Sequence, residues 1–407
     1  MIFRVVATGQ EFDLNNVCRG DGMLFVRDGI GIAGRGVARR LTESEAHDFL
    51  DSLVPSARNS SDHSDVHPPI FGLIPFSPAE EGKFVLAQVT FMKRSDGSRF
   101  VVIVGDSEDE LDDDSINSLI DSALLSQPPR PTSNSYRISP KTPIGQYLDT
   151  VVAARDAVRA GVLRKAVIAR DIEIHADDPI DVHAILLRLR STFGSSYRYC
   201  VDNMIGASPE LLVQVEGRQV KSHPLAGTAP RTGDTETDAR LAAQLIASTK
   251  DQVEHRVVID MVHDTLLPHC SYLDWEAEPS IVTVANVQHL GTAIEGALTE
   301  PVTPVLQLVR ELCPTPALGG FPSREAIDFI HHTEHMERGN YGGAVGWMNR
   351  LGDGTFAVTI RCAELSSDRR TARLFAGGGI VAESDPYSEL AETQAKFQAM
   401  MSAIVRP

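Results

Sequence analysis

Lys165 stands in "LRKAVIAR", residues 163 to 170, immediately before the apolar run Ala166, Val167, Ile168 and Ala169. A long ammonium is among the costliest groups to desolvate. Either its stem snorkels to water from a strand end, or it enters a cleft and works there as a base, which requires a lowered pKa. The last helical stretch, "SDPYSELAETQAKFQAMMSAIV", offers a second set of reactive groups. Asp385 suits an N-cap and Pro386 the first helical position. Glu389, Glu392 and Lys396 then share one face, and Leu390, Phe397, Met401 and Ile404 another. Alone, the charged face reads as an exposed ion-paired edge. Just upstream, however, "FAGGGIV" places Gly377, Gly378 and Gly379 in an apolar strand, where backbone N–H groups can approach an anion unobstructed. An anion cradle beside two glutamates and a lysine points to a carboxylate ligand held with a divalent metal.

Two more carboxylates are ambiguous by themselves. Glu254 in "STKDQVEHRVV" follows Lys250 at the spacing of a helical ion pair, and Glu210 follows Pro209 in "GASPELLV" where a surface turn residue is ordinary. His331, His332 and His335 in "HHTEHMERG" lack an H-E-x-x-H pattern and an obvious third ligand, so they read as solvated histidines and not a zinc site. "GIGIAG", 29 to 34, matches G-x-G-x-x-G, but Gly36 interrupts the helix a dinucleotide site needs. Asp28 and Gly29 between alternating runs read instead as a hairpin turn.

The elements that must carry these groups follow from pattern. Ile144, Leu148, Val151, Val152 and Val158 predict a helix closed by Gly161, "KAVIARDIEIHA" a strand and "DVHAILLRLRSTF" a helix. A short strand ends at "IGASPELLVQV", and one long helix is predicted over residues 235–266 with Leu241, Leu245, Val257 and Met261 in its buried stripe. Residues 55–69 and the acidic run "GDSEDELDDDS", 105–115, read as solvated loops. The stretch 124–143 reads as a linker, dividing residues 1–140 from 141–407. Long helices with strands in hairpin order, without steady βαβ alternation, predict an α+β fold.

Composition narrows the function classes. The 407 residues carry 38 Lys and Arg against 55 Asp and Glu, a net charge of −17, without a basic cluster able to follow a phosphate backbone, so nucleic acid is not an expected partner. Five scattered cysteines without a C-x-x-C pair indicate free thiols in a reducing compartment. The first residues lack a secretory pattern, and no run approaches the roughly 20 apolar residues of a membrane span, so no membrane partner and a cytoplasmic location are expected.

Taken together, "KAVIAR", "GASPELL", "HPLAGT", "STKDQVEH", "CPTPALGGFP", "ERGNYGGAVGW", "TIRCAEL", "AGGGIV" and "ETQAK" resemble, in unbroken order, the chorismate-using enzymes. These include anthranilate synthase component I, aminodeoxychorismate synthase, salicylate synthase and isochorismate synthase. The N-terminal part matches chiefly through "FGLIPFSP" at 71–78. The resemblance implies an anthranilate synthase component I-like fold, with two stacked antiparallel sheets flanked by helices and a Mg2+-dependent site between them for chorismate. No obligate protein partner is expected, and enzymes of this kind serve siderophore or menaquinone biosynthesis.

Carried over by the same likeness, Glu254 and Glu392 are the Mg2+ carboxylates. Arg361 and Lys396 hold substrate carboxylates, with Gly377, Gly379 and Tyr341 at the enolpyruvyl end. Gly227 and Thr228 line the ring pocket, and Ala317 and Leu318 also bind substrate. Glu210 is the general acid at the departing C4 hydroxyl, which needs a raised pKa. Ala226 in "PLAGT" stands where aminodeoxychorismate synthases resemble one another in having a lysine nucleophile. Lys165 occupies the place of the water-activating base of isochorismate and salicylate synthases, where anthranilate synthases typically carry Gln. Cys313 departs from the His that most relatives have before "PTPA", which bears on how the ring edge is contacted. "CPTPALGGFP" with "IRCA" is more similar to isochorismate synthases, so chorismate isomerisation is expected. A salicylate synthase and a catalytically idle chorismate-binding paralogue are the alternatives.

Overall fold

In the computed structural model of the chain, residues 1–59, 63–125, 128, 134–284 and 287–406 are described. The alternating runs near the N-terminus pair as the turn residues dictate. Met23–Arg27 and Ile30–Arg35 form a hairpin about Asp28 and Gly29, whose φ values of 51° and 81° are those of a primed turn. The acidic run does not stay a loop: Asp112 caps the helix Asp113–Leu124 by accepting from Ser115 N, and Asp113 and Asp114 face the positive end of its dipole. Part of the expected linker, residues 126–127 and 129–133, lies outside the described residues, and its end forms the strand Tyr136–Pro140.

Among the described residues the strands gather into two large sheets of thirteen and nine, as expected, and a third sheet of three. The third sheet is small and consists of Leu225–Pro230, Val287–Gly291 and Ser280–Val284. Among the described residues, pairing is antiparallel except for Ile2–Ala7 with Val54–Pro55. N-terminal strands enter both large sheets, Met23–Arg27 beside Tyr197–Val201 in one and Ile70–Ile74 beside Ala344–Met348 in the other. Phe3, Phe25 and Tyr199 from the first sheet and Phe71, Phe84 and Phe356 from the second share one buried cluster, so the main core lies between the sheets. The outer face of the thirteen-stranded sheet is covered by helices that include Val182–Thr192 and Pro386–Val405.

Two differences from the sequence reading matter for the site. "GASPELL" is not one strand: Met204–Ser208 belongs to the thirteen-stranded sheet and Leu211–Glu216 to the nine-stranded one, so Pro209 and Glu210 sit where the chain crosses between layers. The long helix is also two. Thr235–Ala247 ends at Ser248, whose extended backbone breaks the rod and whose side chain caps Thr249–Leu266 by accepting from Asp251 N. The break resets the helical phase: Val257 and Met261 are only half-buried, and His255, Val258, Ile259, Val262 and Leu266 form the buried face.

Candidate active site

A cavity of 310 Å3 opens between the Lys165 strand, the glycine strand, the small sheet and the helices Thr249–Leu266 and Pro386–Val405. Lys165 is the first residue of the strand Lys165–Ala176, and it is buried, 8% exposed, instead of snorkelling. Val167 pairs with Gly379 on the strand Thr371–Ile380, which passes beneath the lysine side chain. A Cβ at Gly379 would stand 2.5 Å from Lys165 Cε and push that side chain aside, whereas glycine leaves it free to cross to the helix beyond, where Nζ donates to Glu254 Oε1 at 2.5 Å. Burial pushes the Glu254 carboxyl up, but the charge and hydrogen bond of Lys165 outweigh it and leave the carboxyl below its ordinary range.

The last helix begins as its sequence predicts, with Asp385 accepting from Ser388 N and Pro386 in the first turn. Lys396 Nζ lies 2.7 Å from Glu392 Oε1 and donates to Gly377 O at 2.7 Å. The lysine charge holds the Glu392 carboxyl below its ordinary range. Glu389 is buried and moves the other way, because desolvation outweighs the hydrogen bond that Ser384 Oγ donates to Oε1 at 2.8 Å. A Cβ at Gly378 would lie 2.8 Å from Glu389 Oε2. The glycine run therefore has a use that its sequence did not suggest, clearance for a lysine on one side and a glutamate on the other.

Glu210 is 3% exposed, not a surface turn residue, and desolvation pushes its carboxyl up to about 8 although Leu225 N–H approaches Oε1 at 3.5 Å. Gly227, with φ of 72°, forms a bulge between Ala226 and Thr228, and a Cβ there would lie 3.2 Å from Asp251 Cβ. Arg361 is buried and itself left-handed, with φ of 51°, a strained backbone that tertiary packing must hold. Its Nη2 lies 3.3 Å from His289 Nε2, while Nη1 has no hydrogen-bond partner among the described residues. A buried, unsatisfied guanidinium nitrogen at a cavity wall is a place for an anionic oxygen. Desolvation, with the Arg361 charge, pushes the His289 imidazole down to about 3, so it is neutral. Its Nδ1 lies 3.1 Å from Gly227 O, which only accepts, so Nδ1 carries the proton and Nε2 is left to accept from Arg361.

The structure brings together the residues given a catalytic, metal or substrate role from the sequence: Lys165, Glu210, Gly227, Thr228, Glu254, Ala317, Leu318, Tyr341, Arg361, Gly377, Gly379, Glu392 and Lys396 all border this cavity. Lys250, Asp251, His289 and Phe375 also border it and were not foreseen. For His289 the available signal was a histidine inside the apolar stretch "NVQHLG". Cys313 does not border the cavity; it follows the helix Val305–Leu312 and packs against the core between the large sheets. The substitution of the expected histidine is therefore a change behind the wall. His331, His332 and His335 are exposed.

The family described as "Chorismate binding enzyme" matches residues 29–405. Isochorismate synthase DhbC of Bacillus subtilis is 38% identical over 282 residues, 67% of this chain and 70% of that protein. Isochorismate synthase MenF of the same organism is 31% identical over 359 residues, 84% of this chain and 76% of that protein. In structure, the chain shares its fold with the menaquinone-specific isochorismate synthase MenF of Escherichia coli, with a TM-score of 0.83 at 24% identity over 98% of this chain and 94% of that one.

Proposed function

Because this chain belongs to the family of chorismate binding enzymes, we propose that it is an isochorismate synthase, an isomerase that adds water at C2 of chorismate and expels the C4 hydroxyl. The observation that carries the reading is a cavity with Lys165 at one wall and a buried Glu210 that keeps its proton up to pH about 8 at another. In this reading Lys165 takes a proton from the attacking water and Glu210 gives one to the leaving oxygen from the other ring face, so one water enters and one leaves. The unsatisfied Nη1 of Arg361 and the Lys396 ammonium receive the substrate carboxylates. Thr228, Ala317 and Leu318 bound the ring, and Gly377, Gly379 and Tyr341 the enolpyruvyl end.

The carboxylates of Glu254 and Glu392 suit Mg2+, which binds through one or two carboxylates and keeps waters and substrate oxygens as its other ligands. Among the described residues, no group of three or more His, Cys, Asp or Glu side chains is gathered to hold a metal ion. Bound there, Mg2+ would supply a positive charge against the ring carboxylate. Glu254 must then exchange its hydrogen bond with Lys165 for the metal.

Among the described residues no helix is long and apolar enough to cross a membrane. The test is incubation of the purified chain with chorismate and Mg2+ followed by chromatography. Isochorismate is the expected product; salicylate with pyruvate would move the chain to the salicylate synthases, and unchanged chorismate would remove the enzymatic reading.

A further inference from the structure

"HHTEHMERG" contributes no exposed metal site, but it holds a buried ion pair that the catalytic reading leaves unused. Glu334 and Arg338 lie four positions apart, and both side chains are 3% exposed. Arg338 Nε donates to Glu334 Oε1 at 2.8 Å, and Nη2 to Oε2 at 2.6 Å. The guanidinium also sits 4.3 Å above the ring centroid of Phe76. Such a pair costs desolvation that packed apolar side chains would not, so stability alone is a weak reason for it.

What surrounds the pair is an incomplete β-ladder. On the edge away from the glycine strand, Lys165 and Ala166 pair with Phe321 and Gly320, and pairing resumes only at Ile172 with Pro140. Between these points the backbone needs other partners. Val167 N donates to Gly319 O at 3.0 Å. Beyond that, Arg338 Nη2 donates to Val167 O at 2.6 Å and Nη1 to Leu318 O at 2.8 Å, while Glu334 Oε2 accepts from Ala169 N at 2.9 Å. The pair thus stands in for a missing strand, and its guanidinium bridges two carbonyls on neighbouring segments of the cavity wall. Val167 follows Lys165 by two residues, and Leu318 borders the cavity with Ala317.

We propose that Glu334 and Arg338 are positioning residues, fixing the spacing between the Lys165 strand and the Ala317–Leu318 segment so that Lys165 is aimed at the substrate ring. Arg rather than Lys is required, because one planar fork must reach a carboxylate and two carbonyls at once. The inference rests on the isomerase reading, and misplacement by about 1 Å is enough to cost about 100-fold in rate.

The test compares Glu334→Leu/Arg338→Met, which removes both charges, with Arg338→Lys, which keeps the ion pair and loses the fork. Turnover of chorismate is measured per folded molecule, well below the melting temperature of each variant. The expected result is a folded double variant with kcat lowered about 10-fold to 100-fold and KM changed by less than about threefold. Arg338→Lys is expected to lose kcat in the same direction. Parent-like kcat in either folded variant overturns the proposal, and so does failure of both to fold, which would make the pair purely structural. Absence of isochorismate from the unaltered chain would instead overturn the functional reading, so the two failures are distinguishable.

Discussion

Two sets of carboxylates that border the same cavity are held in opposite states. Glu254 and Glu392 each meet a lysine, and the cation holds the carboxyl below its ordinary range in spite of burial. Glu210 has a distant Leu225 N–H and the charge of Lys165 to set against burial, so desolvation wins and its proton is retained to about pH 8. Burial alone does not set protonation; whether a cation lies within hydrogen-bond reach does. The difference divides the labour, since paired carboxylates remain anions able to hold a cation and the unpaired one remains an acid able to give a proton.

The largest effects should come from removing the proton-transfer groups. Lys165→Gln and Glu210→Gln are each expected to lower kcat about 100-fold to 10,000-fold, the usual worth of acid–base catalysis. Retention of chorismate binding, measured by calorimetry, would show that the loss lies in the chemical step. A loss below about threefold in either variant would remove that residue from the mechanism.

At the paired carboxylates, Glu254→Gln and Glu392→Gln should weaken Mg2+ binding by about tenfold or more while leaving the fold intact, because each deletes one anionic ligand of a hard cation. Titration of Mg2+ by calorimetry checks this, and wild-type affinity in both variants would refute the assignment. Turnover should also stop in excess EDTA. Gly379→Ala tests the Lys165–Glu254 pair by sterics. Its Cβ would displace the Lys165 side chain, lowering kcat about tenfold with little change in KM.

The pH dependence sharpens the contrast. The raised value of Glu210 means that its acid form is present below pH 8 and lost above it, so kcat should fall on the alkaline side with a midpoint near pH about 8. The stability term has the same sign. A carboxyl with a raised folded value favours the fold fully only below its unfolded value, and that advantage disappears as pH rises through about 8. Glu210→Gln should therefore melt higher than the parent above that pH, and equal melting temperatures across the range would contradict burial of the carboxyl. The smallest effect is expected at Cys313. Because it lies behind the wall, Cys313→Ala should leave kcat/KM within about threefold, as substitutions remote from the reacting groups usually do.

Local elements were legible wherever a short-range cause decided them. The hairpin about Asp28 and Gly29, the strand Lys165–Ala176, and the capped start of the last helix each follow from residues within a few positions of one another. The break at Ser248 was missed because a serine is also tolerated inside a helix, and only the structure shows its extended backbone and its cap on the second helix. The roles of the glycines were half legible. Their small size was plain, but which side chains need the space is a property of neighbours far away in the chain.

The order of the motifs and the residue types in them were sufficient to name the family, the α+β class and the residues that border the cavity. Protonation and aim belong to tertiary structure. Glu210 follows Pro209 in an apolar stretch and Glu254 follows Lys250 in a polar one, but neither setting tells whether the carboxyl will be buried or which cation it will meet across the fold. One is carried into the crossing between two sheets, away from any cation in hydrogen-bond reach, and the other is brought against Lys165 from 89 positions away. The sign of a carboxyl's pKa shift depends on that distance, because the attraction of a cation and the penalty of lost water are both set by what surrounds the group in space.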